Sequence, residues 1–261
     1  MNINRSVGYF ICFVTAQIVV SQQTRRSNIV SVIRSLLFGS VLVSVSVSAV
    51  AEELSLIDPQ LNQFQNVYDY GKAEVINDEI QLYSTGNFFL LTKKVYKNFI
   101  FNAEVKMPNV EEYSNSGIIF RGQLKPTKDG YQEAVGYQAE VDPSVRKWSG
   151  GLYDQARRDW LYPVHPTRSH PDHHFIRSVL GEWTAKQASA YRPGEWNAYR
   201  IECRGSNIKI YLNDILTTHV IDTKDAEGFI GIQHHGSKAL KSAGTTDNVV
   251  RFRNLTIREL D

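Results

Sequence analysis

The chain is poor in cysteine. Only two cysteines, Cys12 and Cys203, occur among its 261 residues. Cys12 falls in an N-terminal segment that we expect to be removed, so no disulfide is possible within the remaining chain. Cys203 lies in an alternating run that places Tyr199 and Ile201 on the same face, which favours a buried thiol over a nucleophile.

An excess of one sign of charge is also lacking. The 29 basic residues face 27 acidic ones. All acidic residues lie from Glu52 onward, whereas four arginines precede it, which leaves 25 basic residues against 27 acidic ones in the remainder. The slight overall basicity therefore belongs to the N-terminus, and the sequence does not support a nucleic-acid partner.

Residues 1–51 have the character of a signal peptide or leader. Arginines, among them Arg34, precede an apolar run over residues 36–45, and Ala49-Val50-Ala51 forms a small-residue cleavage signal. The run is shorter than the ~20 residues of a membrane span. We therefore expect cleavage after Ala51, a secreted or periplasmic protein, and no membrane insertion of the mature chain. A weaker apolar run over residues 7–20 has three possible explanations: translation starts nearer Ser27, the leader is unusually long, or the segment is a signal anchor.

From residue 75 onward the apolar residues recur with a period of two, which predicts β-strands. Turn residues at 204–207 and 212–215 predict two hairpins. After the leader, no stretch of ten residues shows a helical apolar stripe. The predicted strands cover residues 79–83, 88–91, 99–107, 117–121, 136–141, 150–153, 198–203, 207–212, 215–220, 228–234 and 249–257. Residues 52–261 are therefore predicted to form a single all-β domain, a sandwich or a barrel.

Residues 155–195 depart from this pattern, and we expect them to form a loop excursion over one face of a sheet. Trp160, Tyr162 and Trp183 could stack on sugar rings there or pack the loop onto the sandwich. The four histidines of this stretch lack the spacing of a zinc site, so we expect neither a metal nor a cofactor; they are His165, His170, His173 and His174.

Seven sequence blocks carry a family resemblance, namely residues 115–121 (NSGIIFR), 136–141 (GYQAEV), 150–153 (GGLY), 193–197 (PGEWN), 212–214 (LND), 228–236 (GFIGIQHHG) and 252–254 (FRN). In this order they resemble the 3-keto-disaccharide hydrolase domain family, over roughly residues 52–261. The resemblance implies a concanavalin A-like jelly-roll sandwich of two antiparallel sheets, export, and a carbohydrate partner of the 3-keto-glycoside class. It also implies a loose relation to family 16 glycoside hydrolases. One block departs from the family's Gly-Tyr-Glu-x-Gln, because Gln138 here precedes Glu140.

Strand alternation separates polar faces from apolar ones. The side chains of Gln138, Glu140 and Asp142 share one face, whereas Tyr137 and Val141 share the other. Such polar faces would line a sugar groove or form a solvated sheet surface. The residues that we predict to bind substrate are Asn115, Gln138, Gln233, Arg253, Trp160 and Trp183.

The sequence has no Glu-x-Asp-x-x-Glu run, which would supply the two carboxylates of retaining glycoside hydrolysis. Cleavage of a 3-keto-glycoside needs less, because the ketone acidifies the hydrogen on C2. We expect Glu140 or Asp142 as the base, Arg121 as the enolate stabiliser, and Tyr153 or His235 as the acid. A non-catalytic carbohydrate-binding module is the alternative. A structural domain of an exported protein is a third, less favoured, interpretation.

Overall fold

The computed structural model describes residues 52–261. The predicted leader and its cleavage signal lie outside the described residues. No helix within the described part of the chain has the length and apolarity to cross a membrane.

The described chain forms sixteen strands and two short helices. In chain order they are β1 (Leu54–Ser55), β2 (Phe64–Asn66), β3 (Gly71–Ile76), β4 (Glu79–Ser84), β5 (Phe88–Thr92), β6 (Phe99–Lys106), β7 (Ser116–Pro126), β8 (Gln132–Val141), β9 (Leu152–Gln155), β10 (Asp159–Tyr162), β11 (Phe175–Ser178), α1 (Ala185–Ala188), β12 (Asn197–Arg204), β13 (Asn207–Leu212), β14 (Ile215–Asp222), β15 (Phe229–His234), α2 (Lys238–Ala243) and β16 (Val250–Glu259).

The strands form two antiparallel sheets. The larger has nine strands in the order β11-β14-β13-β12-β6-β16-β4-β3, with β1 paired to β16. The smaller has seven strands in the order β10-β9-β8-β7-β15-β5-β2. This arrangement confirms the predicted jelly-roll sandwich and all eleven predicted strands, whose observed bounds differ by a few residues.

The core lies between the sheets because each contributes one apolar face. In β12 of the larger sheet, Tyr199, Ile201 and Cys203 are buried and alternate with more exposed residues. In the smaller sheet, Ala139 of β8 and Leu152 of β9 are fully buried. Cys203 is a free, buried thiol, as predicted.

Both predicted hairpins are confirmed. Arg204 pairs with Asn207, and Leu212 pairs with Ile215 across a two-residue turn. The turn residues Asn213 and Asp214 have φ angles of 47° and 65°, which suit the tight twist of a type I′ turn.

Sequence reasoning missed β1–β3, β10 and β11. β3 shows why, since it lies at the edge of the larger sheet and its residues are half-buried or exposed without alternation. An edge strand that buries neither face well carries a weak period-two signal.

Residues 155–195 contain two strands, β10 and β11, which the predicted loop excursion did not include. The segment adds β10 to the edge of the smaller sheet and β11 to the edge of the larger one, and it thus runs between the two sheets at one side of the sandwich. Buried ion pairs hold it there. The Arg158 guanidinium contacts Asp172 at 2.8 Å and Asp222 at 2.9 Å, and it also pairs with Asp154.

Candidate functional site

A polar cleft lies on the face of the smaller sheet that points away from the core. Because Ala139 and Leu152 point into the core, their strand neighbours point the opposite way. Gln138 pairs with Tyr153 across β8 and β9. The cleft has a volume of about 150 Å³ and is lined by Tyr113, Asn115, Gln138, Glu140, Arg146, Tyr153, Gln155, Trp160, Arg168, Gln233 and His235.

Gly117 makes room for this cleft. It pairs with Glu140 across β7 and β8. A Cβ at this position would lie 2.5 Å from the side-chain carbon and nitrogen of Gln138. Only glycine therefore lets the Gln138 amide lie against the sheet.

Glu140 is the central group of the cleft. Its side chain is nearly inaccessible, with 5% of the residue exposed. Oε1 accepts a hydrogen bond from Asn115 Nδ2 at 2.8 Å, and Oε2 accepts one from Gln138 Nε2 at 3.2 Å. Burial raises the pKa of Glu140 to about 7, although the Asn115 hydrogen bond opposes the rise. A carboxyl group of this pKa gains and loses its proton near neutrality, which is the property that a general base needs.

Two buried polar atoms of cleft residues have no protein partner. The Gln138 amide nitrogen donates to Glu140 and to Gln233 Oε1 at 3.3 Å, which leaves Gln138 Oε1 unpaired. Trp160, 1% exposed, has an unpaired Nε1–H. Buried polar atoms without partners are costly, so such atoms in a cleft indicate a ligand that supplies the missing hydrogen bonds. One is an acceptor and the other a donor, a combination that suits sugar hydroxyls.

Asp142 does not reach the cleft, which corrects its prediction as a candidate base. Its side chain is fully buried. Oδ1 accepts from the Ser144 amide at 2.9 Å, while Oδ2 accepts from the Ser144 hydroxyl at 2.8 Å and from Arg146 Nε at 3.1 Å. Every carboxylate oxygen is thus engaged by the turn that follows β8, and Asp142 orients Arg146 instead of facing a substrate.

Tyr153 lies in the cleft, as predicted. Its hydroxyl donates to Asp159 Oδ1 and accepts from Arg168 Nη2 at 3.1 Å. Burial and the bond to Asp159 raise the pKa of Tyr153 to about 12. Because the phenol proton is already directed at Asp159, Tyr153 is poorly placed to donate it to a leaving group.

His235 is exposed at the edge of the cleft, and its ring meets Tyr113 edge-on at 6.2 Å. Desolvation lowers its pKa. The neighbouring His234 is buried, and one ring nitrogen lies 2.9 Å from the Asn248 carbonyl oxygen. The two neighbouring histidines thus differ in environment, since His234 is buried and His235 borders the cleft.

Arg121 lies away from the cleft, so its prediction as an enolate stabiliser was wrong. Simple alternation would place it on the same face as Gly117, but the register of β7 shifts between Phe120 and Gln123, and Arg121 has a φ of 48°. This bulge redirects the side chain. Its guanidinium donates to the Lys97 carbonyl at 2.8 Å and the Asp225 carbonyl at 3.0 Å, and only 1% of the residue is exposed.

Two predicted substrate-binding residues also lie elsewhere. Arg253 belongs to the larger sheet, where it donates to Glu104 at 2.8 Å and lies over the Trp196 ring at 4.2 Å. Trp183 donates from Nε1 to the Lys147 carbonyl at 3.1 Å and packs against Tyr162. Trp183 therefore packs the segment onto the sandwich, which was the predicted alternative to stacking on a sugar ring.

The histidines of residues 155–195 are spread apart. His165 meets the Trp148 ring edge-on, and His173 lies against His174. Across residues 52–261, no group of three or more His, Cys, Asp or Glu side chains is arranged to hold a metal ion.

Sequence reasoning missed Tyr113, Arg146, Gln155 and Arg168. Gln155 could have been found, because it lies two residues after Tyr153 on the same strand face. Tyr113, Arg146 and Arg168 lie outside the strands, where no periodicity indicates direction.

The fold and the cleft define a two-sheet β-sandwich whose polar cleft suits a carbohydrate and contains one titratable carboxyl group. The chain belongs to the family of the 3-keto-alpha-glucoside-1,2-lyase-like domain, whose model matches residues 54–258. This membership confirms the resemblance drawn from the sequence blocks and indicates a carbohydrate-related, hydrolase-like domain. No curated protein matches the chain in sequence.

Solved structures similar to this chain include carbohydrate-binding proteins. A carbohydrate-binding module, CBM66, from Bacillus subtilis is 18% identical, with 76% of this chain and 96% of that chain covered and a TM-score of 0.48. A protein from Parabacteroides distasonis provisionally named a glycosyl hydrolase is 20% identical, with 80% and 100% covered and a TM-score of 0.48. A galectin-like protein of unknown function from Bacillus subtilis is 8% identical, with 80% and 94% covered and a TM-score of 0.48.

Proposed function

We propose that the protein cleaves the glycosidic bond of 3-keto-glycosides, with Glu140 as the base. The observation that carries this proposal is a buried carboxyl group in the cleft whose pKa is about 7. Such a group is neutral often enough to release a proton and ionised often enough to accept one at neutral pH.

The reaction begins at C2 of the sugar. A ketone at C3 acidifies the C2 hydrogen, and Glu140 accepts that proton while the electron pair of the C–H bond forms an enolate. The enolate then expels the C1 substituent, so that the C1–O bond breaks and a C1–C2 double bond forms. The departing oxygen takes a proton from an acid. Addition of water to the resulting enone completes a net hydrolysis.

Three other cleft residues have suitable groups for this reaction. The unpaired Nε1–H of Trp160 supplies a hydrogen bond to the developing enolate oxygen. The unpaired Oε1 of Gln138 accepts a hydrogen bond from a sugar hydroxyl. His235 is the acid for the leaving oxygen, because the Tyr153 proton is directed at Asp159. Since desolvation lowers the pKa of His235, it acts as the acid in the minority of molecules whose imidazole carries the second proton.

Ordinary glycoside hydrolysis fits the cleft less well. Both the retaining and the inverting mechanisms use two carboxyl groups, which lie ~5–5.5 Å or ~6.5–9.5 Å apart. Among the described residues that line the cleft, Glu140 is the one carboxylate. Elimination next to a ketone needs only one carboxylate base, which favours the keto-sugar reaction.

Incubation with a 3-keto-disaccharide, scored by release of free sugar, tests the proposal. The wild-type protein should release sugar, and Glu140→Gln should lower kcat by roughly 10²–10⁴-fold, the range for a positioned proton-transfer group. KM should change much less, because the amide still offers hydrogen bonds. Glu104→Gln is the control, since Glu104 is a hydrogen-bonded carboxylate on the larger sheet. Near-normal turnover by Glu140→Gln would remove Glu140 from the mechanism.

A non-catalytic carbohydrate-binding module is the second candidate. The unpaired atoms of Gln138 and Trp160 favour it, because recognition of hydroxyl groups needs a donor and an acceptor but no base. Calorimetric binding of an intact 3-keto-disaccharide without any product would support this function and contradict catalysis.

A further inference from the structure

Arg146 lies between two carboxyl groups. Its Nη2 is 2.5 Å from Asp142 Oδ2 and 4.0 Å from Glu140 Oε1. The guanidinium also lies over two indole rings, at 5.0 Å from the centroid of Trp160 and 5.5 Å from that of Trp148. Stacking on aromatic faces and two nitrogens on one carboxylate oxygen fix its position.

The charges of this group depend on Glu140. Asp142 is fully buried and bonded to Arg146, so these two residues form a compact ion pair. When Glu140 is protonated the three side chains are neutral together, and when it ionises they carry one net negative charge. Arg146 attracts that new charge and Asp142 repels it, both from within the low-dielectric rim of the cleft.

We propose that Arg146 and Asp142 are a positioning pair that sets how readily the Glu140 carboxyl group gains and loses its proton. The pair acts through Glu140. Only the expected effect of the pair on turnover rests on the proposed function. Asp142 keeps Arg146 from pairing fully with Glu140, and Arg146 prevents the Asp142 charge from acting on Glu140 unopposed.

Other groups also face Glu140. The segment before β7 provides Tyr113 and the hydrogen-bond donor Asn115, and β8 itself provides Gln138. Tyr199 of β12 donates its hydroxyl to the Glu140 carbonyl oxygen at 2.8 Å. The titratable or charged groups that share the cleft with Glu140 are Tyr113, Arg146, Tyr153, Arg168 and His235. None of these is altered in the variants below except Arg146, so their contributions cancel in the comparison.

The test compares the wild-type protein with Asp142→Asn and with the double variant Asp142→Asn/Arg146→Met. The double variant avoids leaving a buried Asp142 charge without a partner. The Glu140 titration is followed by ¹³C NMR of the side-chain carboxyl groups, assigned with Glu140→Gln. Loss of the Asp142 charge should lower the Glu140 midpoint by about one pH unit or more, because Arg146 is then free to pair with Glu140. Removing Arg146 from that variant should raise the midpoint again by about one pH unit or more.

Arg251→Met is the matched control. Like Arg146, Arg251 places two nitrogens on one carboxylate oxygen, that of Glu79, and lies over an indole ring, that of Trp196. The Arg251→Met variant should therefore have the same Glu140 midpoint as the wild-type protein. If Asp142 and Arg146 had only a structural role, Asp142→Asn and the double variant would change the stability of the protein. The Glu140 midpoint would then not move down in the first variant and up again in the second.

Midpoints that move by less than about half a pH unit, or that move in the same direction at both steps, would overturn the inference. The acid limb of the pH profile of kcat/KM should follow the NMR midpoints. If the midpoints move as expected but no variant or wild-type protein cleaves a 3-keto-disaccharide, the proposed function fails and the positioning pair stands. If Glu140→Gln abolishes turnover but the midpoints stay fixed, the positioning pair fails alone.

Discussion

Replacing Glu140 by glutamine should change how the stability of the protein depends on pH. The ordinary pKa of a glutamate is 4.5, and burial raises that of Glu140 to about 7. The folded protein therefore holds this proton more tightly than the unfolded chain does. The stabilisation is fully present below about pH 4.5, and it is lost as the pH rises through about 7.

The size of the effect follows from the two values. They differ by about 2.5, and each pKa unit corresponds to about 1.4 kcal/mol. Glu140 should thus cost about 3 kcal/mol of stability between acid and alkaline conditions, a cost that glutamine does not carry. Hydrogen bonds that the introduced glutamine makes poorly with Asn115 and Gln138 shift the stability of the variant by the same amount at every pH, and this offset cancels.

The assay is urea unfolding of both proteins at about pH 4 and about pH 8.5, followed by tryptophan fluorescence. Relative to wild type, the glutamine variant should gain about 3 kcal/mol between the two conditions, or roughly 6–12 °C in Tm for a domain of this size. A stability difference that stays constant within about 0.5 kcal/mol would show that the Glu140 carboxylate is well solvated, and the reasoning would be refuted.

Three further predictions concern Gly117, Glu112 and export of the chain. Gly117→Ala should displace the Gln138 amide, lower sugar release and cost about 1–3 kcal/mol in urea unfolding, whereas Gly181→Ala, where nothing lies within 4 Å of an added Cβ, should do neither. Burial opposes ionisation of Glu112, but hydrogen bonds from Ser237 and other donors lower its pKa to about 2; Glu112→Gln should therefore destabilise the protein at neutral pH, by an amount that shrinks as the pH falls from about 4.5 towards 2 in urea unfolding. We also propose that the protein is exported, and N-terminal sequencing of the exported chain should begin at Glu52; a mature chain that retains Arg34 would contradict cleavage after Ala51.

Much of the fold could be predicted because, in an antiparallel sandwich, buried apolar residues alternate with exposed polar ones along each strand. The same alternation placed three site residues from strands correctly, namely Gln138, Glu140 and Gln233. It failed at Arg121, where one bulge reverses the phase. A bulge adds a residue without breaking the hydrophobic pattern before it, so no local signal in β7 reports the change.

Much of the rest of the site lies in loop segments, where the sequence does not indicate which way a side chain points. Arg146 enters the cleft because Asp142 and the indole rings fix the turn after β8. Arg168 enters because its carbonyl accepts from the Trp160 amide at 3.0 Å and its guanidinium donates to the Tyr153 hydroxyl at 3.1 Å. Both placements depend on specific contacts, of Arg146 with Trp160 and of Arg168 with Tyr153, that no periodic pattern in the sequence indicates. Charged residues in such segments look alike in sequence whether they face solvent or a cleft.

The order of Gln138 and Glu140 bears on how the family's chemistry transfers to this chain. Residues two apart in a strand lie on one face, roughly 6–7 Å from each other. Both side chains line the cleft and hydrogen-bond to each other, so the interchange keeps a carboxyl group in the cleft and moves it along the strand. A base displaced by that distance meets a different atom of a sugar bound in the same pose. The role of Glu140 therefore depends on the burial, unpaired neighbours and proton affinity found at its own position, and not on alignment with the carboxylate of other family members.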